Sequence, residues 1–411
     1  MGNASNQYND CFYIAVKMNT GIDYRCFNDL MEHKALRTYR DIADKEILER
    51  ISKEEMELSQ NTVGKVRKLL DSFGEVGRKA KEYLKLAEQN GIRVVSCLDV
   101  DYPYNWRVLG GMPKVFFAKG RYSLIDQMTL HGAAAVVGSR NPSKYSQYAT
   151  DRMCRELGEK GIAIVSGMAY GIDRQAHLSS VDTKGGTIAI LAGGADNIYP
   201  PANKDIYDLI SAKGLIISEM PPGQTPLRQY FPSRNRLIAG LSDCTLVMEA
   251  GTVSGTLHTA SYSAAQGKEV FVLPNSIYYE NAMGGLKLLE DGGNILLGTD
   301  NVIDSISRAI MYKRMGLACP GEIRFHDDCN GEVRSSDIAV LRELAKVRPE
   351  ELTDDNWKSL LLDALTLKPL CADELCKATM LPFYKVSGLL TELELKGSVC
   401  QEKGKYSLTF V

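Results

Sequence analysis

The sequence has little with which to hold a metal or a redox group. Its ten cysteines are scattered, none in a C-x-x-C pair, and its five histidines fall at no ligand spacing. Isolated cysteines with mostly apolar neighbours read as reduced thiols, so we expect a cytoplasmic protein without metal or cofactor. An excess of one charge is also missing. Lys and Arg number 49 against 51 Asp and Glu, so any site for an anion must be a local cluster. No apolar run approaches the ~20 residues of a membrane span. The opening MGNASN lacks the charged-then-apolar order of a signal peptide, and Asn6 stands where a myristoylation signal needs Ser or Thr. The absence of G-x-G-x-x-G argues against a dinucleotide, and the absence of G-x-x-x-x-G-K-[ST] argues against P-loop hydrolysis. GTVSG at 251–255 misses the nucleophile-elbow pattern by one position.

What is present is periodicity that changes along the chain. Residues 1–91 carry apolar residues at three- and four-residue intervals with charges between, which predicts a helical domain. From 92 to 310 short apolar runs alternate with helical patterns. Strands are expected at Ala133–Val137, Ile162–Val165, Thr187–Leu191, Leu215–Ser218, Thr245–Glu249 and Val270–Leu273, and a helix at Tyr145–Lys160. Uniformly apolar strands alternating with helices indicate an α/β, Rossmann-like, doubly wound parallel sheet, with ligands at the carboxyl ends of its strands. Residues 311–351 are rich in turn formers and read as a linker. Residues 352–411 show three short helices and a hairpin about Lys403-Gly404-Lys405, the pattern of a winged helix.

The chemistry-bearing residues fall at the strand ends. Gly138, Ser139 and Arg140 leave one strand, and Ser166 and Gly167 leave the next. Lys204 follows the third. Arg234, Asn235 and Arg236 open an apolar helix in YFPSRNRLIAGLSD, and Ser254 and Gly255 start another. Taken singly, each turn serves backbone geometry as readily as a ligand. Together they can bring Arg140, Lys204, Arg234 and Arg236 to one edge. Residues 132–310 hold 15 Lys or Arg and 17 Asp or Glu, so these cations are concentrated rather than in excess. Amides at helix N-termini and planar guanidinium forks both suit phosphate oxygens. Tyr230 and Phe231 beside them offer rings for base stacking or for the core.

The motifs VVGSRNPSKYSQYA, IVSGMAYGIDRQAH, TIAILAGGADNIYPPAN, GLIISEMPPG, FPSRNRLIAGLSD and VMEAGTVSGTLHTASYSAAQGKEVFVLP, in this order, resemble the DprA/Smf family over about residues 95–310. The resemblance implies a helical N-terminal domain of sterile-alpha-motif type and a C-terminal winged helix. It also implies a homodimer that binds single-stranded DNA and loads the RecA recombinase during natural transformation. The family's binding motifs fall on Gly138, Ser139, Arg140, Ser166, Gly167, Arg234, Asn235, Arg236, Ser254 and Gly255. Tyr170 stands where an arginine is common, Asn275 where glycine is usual and Leu286 where asparagine is usual. A second reading on the same fold is a nucleotide-binding protein or a LOG-like nucleoside monophosphate phosphoribohydrolase. Against it, GTLHT at 255–259 has His258 and Thr259 where acids would be wanted.

Overall fold

The computed structural model describes residues 2–22, 24–53 and 58–314. Toward the C-terminus it describes 358, 361, 371–372, 375–376, 383–395, 398–402 and 405–408. Five helices come first: α1 Gly2–Asn19, α2 Tyr24–Glu32, α3 Lys45–Ser52, α4 Gln60–Asp71 and α5 Phe73–Gln89. Asp44 caps α3 by accepting from the amides of Glu46 and Ile47, and Ser59 caps α4 by accepting from Thr62. Their apolar faces meet around Phe12, Leu48 and Leu69. The same apolar cluster continues into Val94, Val115, Leu191 and Ile216 of the sheet. The helical region therefore shares its core with the sheet.

The central region runs β1 Arg93–Ser96, α6 Tyr104–Arg107, β2 Val115–Gly120, α7 Leu124–His131, β3 Ala133–Gly138, α8 Lys144–Glu159, β4 Ala163–Ser166, α9 Ile172–Ser180 and β5 Thr187–Leu191. It continues with α10 Lys204–Lys213, β6 Leu215–Ser218, α11 Tyr230–Leu241, β7 Cys244–Glu249, α12 Gly255–Ala265, β8 Val270–Val272, α13 Met283–Glu290, β9 Asn294–Ile295 and α14 Thr299–Arg314. The nine strands lie in the order β1-β2-β6-β5-β4-β3-β7-β8-β9. The run from β6 to β9 is parallel. Both β1 with β2 and β2 with β6 pair antiparallel, so the sheet is mixed at one side. Only the four-residue α6 lies between β1 and β2, too short a helix for a parallel crossover to pack on the sheet.

Strands β4 to β8 are buried throughout because helices cover both faces. On β3, Ala133, Ala135 and Val137 face Leu237 and Ile238 of α11, while Ala134 and Val136 join Met153 and Leu157 of α8. From β3 the chain steps outward through β4, β5 and β6 by way of α8, α9 and α10. It then returns along α11 to start β7 on the other side of β3 and steps away through β8 and β9. Strand order thus reverses between β3 and β7. In an open α/β sheet the carboxyl ends at such a reversal frame a crevice.

Beyond Arg314, the expected linker lies outside the described residues. Helix α15 Phe383–Leu395 and the hairpin β10 Val399–Glu402 with β11 Lys405–Leu408 are in place, with Glu402 opposite Lys405. Leu389, Leu390, Leu393 and Val399 are buried with Met311 and Tyr312 of α14. The two earlier short helices expected in this region fall mostly outside the described residues.

Candidate nucleic-acid interface

The first turn, at the end of β3, is held from beneath. Glu249 is buried at the carboxyl end of β7, and its carboxylate accepts from the amide and hydroxyl of Ser143 at 3.0 and 2.7 Å. Ser143 is also the N-cap of α8, accepting from the amide of Ser146. Ser139 Oγ accepts from the amide of Asn141 at 3.1 Å. This fixed turn leaves Arg140 exposed, with no hydrogen bond or ion pair among the described residues.

The second turn packs directly on the first. The amide of Ile172 donates to Ser139 O at 3.1 Å, and Ser166 Oγ donates to Val136 O at 2.7 Å. Gly171 has φ +73°, and a Cβ there would run into the carbonyl oxygens of Ser139 and Arg140. The buried Asp173 carboxylate accepts from the amides of Gly167 and Ala169, both at 3.2 Å. Burial pushes that carboxyl up from its ordinary range, against the pull of the Arg234 charge.

Arg234 is 6% exposed. Its Nη1 donates to Gly167 O at 2.7 Å and also to Ile190 O, and its guanidinium lies 5.9 Å from the Phe231 ring centroid. Burial first, and then the neighbouring Arg140, push its pKa down to about 10, while Asp173 acts the other way. Asn235 accepts from Arg234 Nε and donates to Gly255 O, both at 3.2 Å, which ties α11 to the start of α12. Ser254 caps α12 by accepting from the amide of Thr256, and Gly255 is open to solvent.

Direct hydrogen bonds therefore join Ser166–Gly167 to Arg234 and Asn235 to Gly255, while Gly138–Arg140 meets the second turn through Ile172, whose amide donates to Ser139 O. The remaining two cations are engaged elsewhere. Lys204, 67% exposed on α10, pairs with Asp208 at 2.7 Å. Its neighbour Asn203 is the residue that reaches the second turn, donating to Met168 O at 2.8 Å. Arg236 meets Glu219 Oε2 at 2.7 Å, and Lys17 of α1 meets Glu219 Oε1 at 2.8 Å. Burial alone would raise the Glu219 carboxyl, but Lys17 and Arg236 hold it below its ordinary range. Arg236 Nη1 is buried with no partner among the described residues.

Of the rings beside the arginines, Phe231 packs edge-on against Tyr199 with centroids 5.6 Å apart, and Tyr230 lines a small cavity with Leu191, Glu219 and Met220. Sequence reasoning missed Glu219 and gave two other acids different roles, Asp173 as a helix cap and Glu249, with Asp243, as a partner for Arg236; Glu249 holds Ser143 instead, and Arg236 pairs with Glu219. Each is a buried acid whose role depends on where other turns lie. Asp173 does not cap α9, whose N-cap is Gly171, but accepts from the amides of Gly167 and Ala169 in the turn before it.

The surface at the reversal of strand order thus carries two helix N-termini, those of α8 and α12, and one unpaired arginine. Free amides, a helix dipole and a guanidinium all favour an anion. The family model for DNA recombination-mediator protein A matches residues 93–307, and that for the DprA winged helix domain matches 345–405. Protein Smf of Synechocystis is 35% identical over 79% of this chain and 81% of its own length. DNA processing protein DprA of Bacillus subtilis is 34% identical over 57% of this chain and 78% of its own. The crystal structure of DprA from Streptococcus pneumoniae superposes with a TM-score of 0.57 at 29% identity, covering 71% of this chain and 96% of that one. With its central sheet and C-terminal region both matched, and a relative aligned over most of both lengths, the chain belongs to the DprA/Smf family of DNA-processing proteins.

Proposed function

We propose that this protein binds single-stranded DNA along the carboxyl edge of its parallel sheet and delivers the strand to a RecA-type recombinase, without chemistry on the strand. The observation that carries the reading is Arg140. It is exposed and unpaired at the reversal of strand order, on the loop from β3 to α8, and β7, the strand beside β3, leads to α12. A single strand can lay phosphates on such turns while its bases stay free to stack, which a duplex cannot. The family description, recombination mediator, supports the delivery step.

The carboxylates at the edge are engaged in holding backbone. Asp173 accepts two amides and Glu249 accepts from Ser143. The first turn of α12 carries no acid, so the position where a phosphoribohydrolase would want its general acid–base group holds none. This favours binding over hydrolysis. We also infer a homodimer, because two linked sites gripping one strand raise its effective local concentration.

The test is RecA filament assembly on oligonucleotides precoated with single-strand-binding protein. Faster assembly in the presence of this protein supports delivery. An unchanged rate, with DNA bound normally, removes delivery and leaves binding alone.

A further inference from the structure

Among the described residues the exposed aromatic side chains are all tyrosines: Tyr145, Tyr148, Tyr170, Tyr199 and Tyr278. All five lie beyond the carboxyl ends of parallel strands. Tyr199 follows β5, Tyr170 follows β4, Tyr145 and Tyr148 follow β3 at the start of α8, and Tyr278 follows β8. Between the last two, on the loop after β7, stands Val253, which is almost wholly exposed. Read in the spatial order β5-β4-β3-β7-β8, each neighbouring strand delivers at least one exposed ring or apolar side chain. Elsewhere among the described residues every Phe, Tyr and Trp is less exposed than these five, so this distribution is not general surface composition.

We propose that these tyrosines form a rim on which the bases of a single strand stack in strand order, with its phosphates turned to Arg140 and to the N-termini of α8 and α12. The inference rests on the strand-binding reading above and adds which residues take the bases. Neighbouring strands lie about 4.8 Å apart, so five of them spread the rim over roughly 19 Å. Stacked nucleotides rise ~3.4 Å each, so the rim meets several in succession. Every base has a π-face, so the rim accepts any sequence. At one end the rim is braced: Tyr199 packs edge-on against Phe231, which lies beneath Arg234. Three of the acids near this edge are already engaged, whereas Glu280, two residues after Tyr278, is exposed with no side-chain hydrogen bond or ion pair among the described residues. Glu249 is held by Ser143, Asp205 by Arg174 and Asp196 by the amide of Gly223.

The test separates bases from backbone. Affinities of the full chain are measured for a thymidine oligonucleotide of about twenty residues and for an abasic strand of equal length and charge. Stacking on several rings predicts that the parent prefers the thymidine strand by about tenfold or more. Replacing Tyr145, Tyr148, Tyr170 and Tyr278 together by Leu should bring the two affinities within about twofold, by weakening only the thymidine strand. Replacing the same four by Phe should restore the preference. The rim is overturned if the parent binds both strands equally, or if the Leu variant keeps the preference. A Leu variant whose solution mass falls while its preference is kept would assign the rim to contact between copies of this chain, which also overturns it. A parent that binds neither strand removes the strand-binding reading itself.

Discussion

Arg234 grips Gly167 from one side and Asp173 grips it from the other. The glycine carbonyl accepts from Arg234 Nη1 at 2.7 Å, and its amide donates to Asp173 at 3.2 Å. A Cβ at this position would lie 2.5 Å from the guanidinium, so the clamp closes only on glycine. The cation that looks most like a ligand fork in the sequence thus works inward, setting the turn that packs beneath Arg140.

Arg234→Ala should therefore lower stability more than it lowers affinity. It strands two buried carbonyls and leaves Asp173 without its nearest opposing charge. We expect a loss of roughly 2–5 kcal/mol in urea unfolding. A parent-like midpoint would show that the clamp is not needed.

Gly171→Ala tests how the two turns fit. The residue is left-handed, at φ +73°, and has no room on the side of Ser139. The first turn must shift to admit a methyl group, carrying Arg140 with it. We expect a destabilised protein whose DNA affinity falls even at temperatures where it remains folded. Unchanged affinity in the folded range would separate the second turn from the site.

Glu219 joins the N-terminal helices to α11. Replacing it by Gln leaves Arg236 without its acid in a largely buried setting, at a cost of about 3 kcal/mol or more. Lys17→Ala removes the more exposed partner and should cost less than about 1 kcal/mol. Equal losses in thermal or urea unfolding would mean that the pair matters only through the N-terminal contact.

Acid should unfold the protein partly through His177. Its Nδ1 lies 2.7 Å from Thr187 Oγ1, and burial first, then the Arg234 charge, push its pKa down to about 3. The ring is neutral in the fold, while the unfolded chain takes up a proton near pH 6.5. The unfolded state therefore binds more protons, and stability falls as pH drops from about 6.5 toward 3. His177→Gln should show a shallower fall over that window. Parallel pH profiles for the two proteins would contradict this.

Most parallel strands and their ends were legible because short apolar runs stop at turn formers such as glycine and proline. The expected Thr187–Leu191 and Leu215–Ser218 match β5 and β6 residue for residue, the other four expected strands shift by one residue at one or both ends, and the two-residue β9 was not expected. The direction of β1 and β2 was not legible, since an apolar run reads alike in either sense. Charges in the sequence also carry no orientation. Arg236 has no acid near it along the chain, but Glu219 arrives from the loop after β6 and Lys17 from the first helix. Exposure of the tyrosines depended likewise on which turn residues the neighbouring loops left uncovered.

The most direct measurement of strand binding at this edge is the affinity of the parent and of Arg140→Ala for a single-stranded oligonucleotide, beside their melting temperatures. Arg140 makes no hydrogen bond or ion pair with another described residue, so removing it should leave the fold unchanged. It should weaken single-strand binding by about tenfold or more at moderate salt and flatten the salt dependence. Equal affinity of the two proteins, with equal melting temperatures, would contradict the placement of the strand.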